Sequence, residues 1–167
     1  MDYDKASRFW DDKDSNNTKL DKDELNILID NYINSHNTCC LATGFGTNIR
    51  CTPIEYNYYN GYFYLISEGG HKFSNLKNNK NVALAIYDSY KGFQECNGMQ
   101  INGVAEIIDE NSKEYEEIFL KKKISLEALK KLNHPMYLIK IKPIEINFLS
   151  SEFKKMGLNT MRQKLIR

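Results

Sequence analysis

Between Leu25 and Ile33 apolar side chains return every three or four residues (Leu25, Leu28, Ile29, Tyr32, Ile33), the period of a helix with one apolar face. Asp21 stands before this run as an N-cap, with Glu24 three residues on. From Thr38 the period falls to two. Thr38–Thr43 and Ile49–Tyr59 read as strands around a turn at Gly44–Asn48. Asn60-Gly61 then lies between two aromatic strands, the strongest short hairpin signal, and Tyr62–Ser67 is the third strand. A Gly-Gly turn follows, and Phe73 and Leu76 mark the apolar side of a short helix over 71–79. Asn81–Asp88 is nearly all apolar, which predicts a strand buried on both faces. Ser89–Asn97 is a loop and Gly98–Ile108 a long strand.

Residues 111–132 are helical, in two pieces broken near Ser125, which can cap the second. Met136–Ile141 and Ile144–Leu149 are two closing strands around Lys142-Pro143, since Pro marks a turn or a strand edge. The chain therefore divides into an arm, 1–21, a β-rich domain, 22–150, and a basic, weakly patterned tail, 151–167. In the arm Phe9-Trp10 is the only large apolar pair, an anchor for packing. Many short strands with hairpin connections predict a mainly β fold with peripheral α, an antiparallel barrel with its helices outside.

The bulk numbers narrow the function classes. At 167 residues, 41% apolar and 12% aromatic with eleven Tyr, the chain can build one β-rich core. A net charge of +1, with Lys scattered among Asp and Glu, argues against nucleic acid as a partner. No apolar run reaches membrane-spanning length and no signal-peptide core is present at the N-terminus, so no membrane partner and a cytoplasmic location are expected. Cys39, Cys40, Cys51 and Cys96 follow no metal-ligand spacing, so no metal site is expected and all four read as small, reduced, buried hydrophobes. His36 closes a helix and His134 precedes a Pro, and both read as structural.

The segment G-Y-F-Y-L-I-S-E-G-G-H-K-F-S-N-L, Gly61 to Leu76, carries the chemistry. Two glycines free the backbone at the turn, and the helix that follows opens with unpaired N–H groups. Lys72 stands in that first turn, where the dipole alone would prefer an acid, so the pattern suits a bound anion, above all phosphate. With R-C-T-P-I-E-Y upstream (Arg50 to Tyr56), C-C-L-A-T before it, and N-V-A-L-A-I and G-M-Q-I-N-G-V-A-E after it, the chain resembles the FMN-binding split-barrel family, relatives of pyridoxamine 5′-phosphate oxidase, over roughly residues 24–150.

That resemblance implies an antiparallel split β-barrel, a homodimer, and FMN in a groove between the subunits. It makes Arg50 and Lys72 the phosphate cations, with His71 where many relatives have Arg. Cys51, Thr52 and Pro53 match the strand lining the isoalloxazine edge, Leu65, Ile66 and Ser67 the segment beside the ribityl phosphate, and Gln100 a glutamine that approaches the flavin. It implies an FMN-dependent oxidoreductase passing electrons from a reduced nicotinamide, NAD(P)H, to a small-molecule acceptor such as a nitroaromatic or a quinone. The departures count too. The tail lacks the Arg-Leu-His element of a true pyridoxamine phosphate oxidase, and Arg162 and Arg167 read as tail surface. No nucleophile or acid–base constellation stands out, so no catalytic side chain is assigned and the cofactor would carry the redox chemistry. A non-catalytic protein that binds or senses flavin, or haem, is the alternative, and a barrel that has lost its cofactor is the blandest one.

Overall fold

The computed structural model describes all 167 residues. Helix α1 spans Tyr3–Ser15 and α2 Lys22–Asn34, the latter capped by Asp21, whose carboxylate accepts the Asp23 and Glu24 N–H groups. Strands β1 (Thr38–Phe45), β2 (Asn48–Glu55), β3 (Asn57–Tyr59) and β4 (Tyr62–Ser67) follow. Then come α3 (Lys72–Asn78), β5 (Asn81–Tyr87) and β6 (Asn97–Ile108). The chain closes with α4 (Lys113–Lys121), α5 (Leu126–Lys130), β7 (Tyr137–Ser150), α6 (Glu152–Lys155) and β8 (Arg162–Ile166). All strands join one antiparallel sheet, in the order β2-β1-β5-β6-β7-β4-β3 with β8 added on β7, curled into a half-barrel.

The core lies on the concave side, where Leu25, Ile29 and Ile33 of α2 plug the barrel against Leu41, Phe63, Leu84, Ile101 and Ile146. A second cluster forms where Tyr115, Ile118 and Phe119 of α4 cover Tyr64 and Leu138. The hairpin between β3 and β4 turns through Asn60 and Gly61, both at positive φ (51° and 82°), the geometry that the Asn-Gly pair is suited to. Ser125 caps α5 by accepting the Ala128 N–H. No helix is long and apolar enough to cross a membrane.

Several expectations are corrected. The arm, for which no element was expected, is helical. It forms α1, capped by Asp2, and it buries no residue, which is why no apolar period announced it. The long second strand breaks at Tyr56, whose ring turns into the core and whose hydroxyl donates to the Ile33 carbonyl at 2.6 Å. Strand β5 is buried on one face only: Val82, Leu84 and Ile86 point inward, while Ala83 and Ala85 lie half-exposed on the other. Apolar but small, these alanines disguise the alternation.

The two expected closing strands are one. Pro143 pairs opposite Gly103 beside a register shift that leaves Ile144 as the extra residue, so the missing proline donor falls at a bulge. A Cβ on Gly103 would stand 2.7 Å from the Lys142 carbonyl oxygen, so only glycine permits this crossing. The tail also folds. Gln163 and Leu165 of β8 point into the protein, and polar Gln163 hides the period. Its amide donates to the Thr18 carbonyl and accepts the Leu20 N–H, so its burial is satisfied. Arg162 and Arg167 are accordingly part of the folded body: Arg162 stacks 4.8 Å from the Trp10 ring, and Arg167 bonds Asp30 at 2.7 Å. Of the four cysteines only Cys39 is buried; Cys51 is exposed and Cys40 and Cys96 are intermediate.

Candidate functional site

The Gly-Gly turn joins β4 to α3, with Gly69 at φ 136° and Gly70 at φ 102°, a path that L side chains rarely follow. Ser67, at the end of β4, braces it: its hydroxyl accepts the Gly69 N–H and meets the Gly69 carbonyl, both at 3.2 Å. Lys72 curls back into the turn and donates to that same carbonyl at 2.5 Å, leaving only 8% of the residue exposed. Arg50 stands across from it on β2. Burial first, and the Arg50 charge second, pull the Lys72 pKa below its ordinary value. Two cations are thus held close enough to repel each other, and every ion pair of the chain lies elsewhere.

Asparagines hold this arrangement in register. Asn75, 1% exposed, donates to the backbone carbonyl and the hydroxyl of Thr43, each at 3.2 Å, and accepts from Asn48 at 2.9 Å. Asn79 donates to the Gly44 carbonyl at 2.8 Å. Because Thr43 pairs with Arg50 across the β1–β2 ladder, Asn75 fixes α3 against the strand that carries the arginine. Sequence reasoning missed this staple, because asparagine is ordinarily a surface or turn residue. The available signal was the position of Asn75 one helical turn from Lys72, on the same face as Leu76.

The expected site residues fall into four groups. Arg50, Ser67, His71 and Lys72 surround the turn, with His71 exposed beside α3 and its side chain uninvolved in capping. Thr52 shares the Arg50 face of β2, whereas Cys51 and Pro53 point to the convex face. Leu65 is fully buried in the main core and Ile66 packs against the second cluster, so those two can offer a ligand only their backbone. Gln100 stands apart. It shares a cross-sheet row with Pro53 (Pro53, Cys40, Ala85, Gln100, Asn147, Lys164), three strands over, roughly 14 Å at the usual strand spacing. The seven residues of α3 make a short helix, so the cations and the open turn rather than a macrodipole define the site.

A convex-face groove of about 580 Å³ runs past Pro53, Cys40, Ala85 and Tyr87 to the end of α2. At its far side His36 gives each ring nitrogen an acceptor, the Tyr32 carbonyl and the Asp88 carboxylate, both at 2.8 Å. Burial alone would raise the Asp88 pKa, but bonds from His36, Asn97 and Tyr32 outweigh it and hold the carboxyl below its usual range.

The comparisons with known proteins agree with this architecture. Among solved structures, the General Stress Protein 26 of Bacillus anthracis superposes with a TM-score of 0.54 at 22% identity, covering 74% of this chain and 92% of that one. A FAD-binding protein of Mesorhizobium loti gives 0.57 at 15% identity, covering 72% and 88%. HutZ, the haem storage protein of Vibrio cholerae, gives 0.58 at 14% identity, covering 75% and 91%. At these identities the likeness is one of fold. A comparison with curated protein sequences finds no match. The family model described as pyridoxamine 5′-phosphate oxidase matches residues 26–150, most of the chain, from within α2 to the end of β7, and the chain therefore belongs to that family of split barrels.

Proposed function

We propose that the protein binds FMN through its terminal phosphate and works as a flavoprotein oxidoreductase, a homodimer that passes electrons from NAD(P)H to a small neutral acceptor. One observation carries this reading: Arg50 and buried Lys72 face the same glycine turn with no protein carboxylate against either. A phosphate monoester near the dianion supplies the missing charge. The fork of Arg50 can grip two oxygens, Lys72 can turn from the Gly69 carbonyl to a third, and the Gly70 and His71 backbone lies open beside them. The open space around Gly69, where an added Cβ would meet nothing within 4 Å, leaves room for the group. The FAD-binding neighbour supports a flavin in this fold.

When bound, the flavin supplies the two-electron chemistry. The chain's own residues do the rest. Arg50 and Lys72 anchor one end, Asn75 keeps their spacing, and Thr52, on the same face of β2 as Arg50, continues that surface away from the turn. Gln100 shares the face of Pro53, opposite to that of Arg50, and would meet a flavin held by a second copy, in keeping with the homodimer reading. The tail contributes β8 and no Arg-Leu-His element, so vitamin B6 oxidation is not proposed.

The haem-storage neighbour keeps a second reading in view, a protein that binds a cofactor without turnover. For haem the iron ligand is the obstacle: His36 is occupied on both nitrogens and His134 faces Glu68 at 3.5 Å, leaving His71 as the available imidazole. The experiment is a spectrum of the protein after FMN addition and desalting, followed by NADPH and NADH oxidation with a quinone acceptor. Retained flavin with turnover supports the oxidoreductase. Retained flavin without turnover supports the binding protein. A Soret band on haem titration, lost in His71→Ala, would replace the flavin by haem.

A further inference from the structure

The cysteines follow no ligand spacing along the chain, but the sheet brings two of them together. Cys40 pairs with Pro53 and Ala42 with Cys51, so Cys40 and Cys51 are diagonal neighbours on the convex face of β1 and β2. Tyr87 continues the diagonal onto β5, two residues beyond Ala85, the partner of Cys40. Its hydroxyl meets the Cys40 Sγ at 3.8 Å. Cys39, on the other face, is 3% exposed and belongs to the core. Cys51 is exposed and Cys40 half-buried, so the pair is open to solvent.

Three groups that become anions on losing a proton thus share one patch. Desolvation first, then the charge and hydrogen bond of Cys40, push the Cys51 thiol up. The Cys40 hydrogen bond, followed by its charge, does the same to the Tyr87 phenol. The strands offer no cation in return. β1, β2 and β5 carry no lysine, and their one arginine, Arg50, points to the opposite face. A positive ion is what this patch lacks.

The two sulfurs decide which ion. Thiolates select soft cations, whereas structural zinc and iron–sulfur clusters call for four ligands, and magnesium and calcium for oxygen. A disulfide is the competing use of the pair, and distance decides against it. Diagonal neighbours stand roughly 7–8 Å apart at Cα, past the roughly 6.8 Å that a disulfide spans. A metal ion between the sulfurs bridges a wider gap than a bond of about 2 Å.

We propose that Cys40 and Cys51 form a two-thiolate site for a soft monovalent cation of the copper(I) class. On binding, each thiol gives its proton to solvent and each sulfur donates a lone pair to the metal. No oxidation state changes, two protons leave for each cation bound, and binding tightens as pH rises. The site needs no flavin and none of the cradle, since Arg50 projects from the other face of β2.

The test titrates the full chain, freed of flavin and oxygen, against the coloured copper(I)–bicinchoninate complex. The protein should withdraw one equivalent of copper(I) per chain. Cys40→Ser and Cys51→Ser should each weaken this by about 100-fold or more, while Cys96→Ser and the Arg50→Ala, Lys72→Ala double variant should match the wild type. A footprint that needs no variant runs beside it. Copper(I) should shield Cys40 and Cys51 of the wild type from iodoacetamide and leave Cys96 as reactive as before. Equal copper(I) affinity in the wild type and Cys51→Ser, shielding that falls on Cys96, or loss of copper(I) in the cradle double variant overturns the proposal. Displacement of copper(I) by an equal amount of zinc(II) overturns its claim for a soft cation.

Discussion

Two cationic sites of this barrel differ in what surrounds them. Arg167, after the last strand, is closed in by Asp30 at 2.7 Å, by Asn26 at 3.2 Å and by the Tyr58 hydroxyl. Burial opposes its charge, but the Asp30 and Tyr58 bonds more than compensate and raise its pKa. Lys72 is likewise withdrawn from water, yet nothing anionic meets it and Arg50 adds a like charge. The first cluster is complete and serves folding. The second has no anion of the chain against it, and that difference is the ground for the proposed phosphate site.

The largest expected effect falls on the incomplete cluster. Arg50→Ala or Lys72→Ala should each weaken FMN binding by about 10- to 150-fold, the worth of a charge-assisted bond of about 1.5–3 kcal/mol, with little change in melting temperature. Flavin fluorescence titration with a parallel melt checks both halves, and a variant that unfolds as easily as it loses flavin would erase the contrast. Asn75→Ala should do both things at once. It leaves the Thr43 hydroxyl and carbonyl without their donor, which costs about 1–3 kcal/mol in denaturant unfolding, and it loosens α3, so FMN affinity falls as well.

The complete cluster predicts the reverse pattern. Arg167→Ala should lower stability by about 1–2 kcal/mol, discounted because Asp30 is 45% exposed, and should leave the FMN affinity where it was. Acid sharpens the same distinction. The Asp88 carboxyl is held below its unfolded value, so its contribution is fully present above about pH 4 and disappears as pH falls through its folded pKa. Glu114 follows the same sign: burial would raise it, but Lys140 and Tyr64 together hold it down. Unfolding midpoints measured from pH 6 to pH 2 should drop steeply at the acid end, and Asp88→Asn should flatten that drop. The smallest effect belongs to His71→Ala, a few-fold loss of FMN affinity at most, since the exposed imidazole caps nothing in the fold.

The parts of this molecule that the sequence reveals are those whose chemistry and period agree. Leu25 to Ile33 is apolar where the helix faces the core, and the Asn60-Gly61 and Gly69-Gly70 turns need backbone that those residues supply. The placement of Lys72 at the Gly69-Gly70 turn is legible because a cation directly after two glycines stands out in the sequence. What is hidden breaks that agreement. Gln163 is polar but buried because Thr18 and Leu20 satisfy it, so β8 lacks an apolar signature. Tyr56 looks like one more strand aromatic and instead ends the strand by bonding the end of α2. Pro143 suggests a stop, but a bulge opposite Gly103 carries the strand through. Each depends on a partner far along the chain, which no local pattern records.

The central claim is that an uncompensated cation pair holds a flavin by its phosphate, and comparing FMN with riboflavin tests it most directly. The two share the ring and the ribityl chain and differ only in that phosphate. The account predicts that the wild type binds FMN at least about 100-fold more tightly than riboflavin, and that the advantage collapses in the Arg50→Ala, Lys72→Ala double variant. Equal affinity for the two flavins in the wild type, or an FMN preference that survives the double variant, would contradict it.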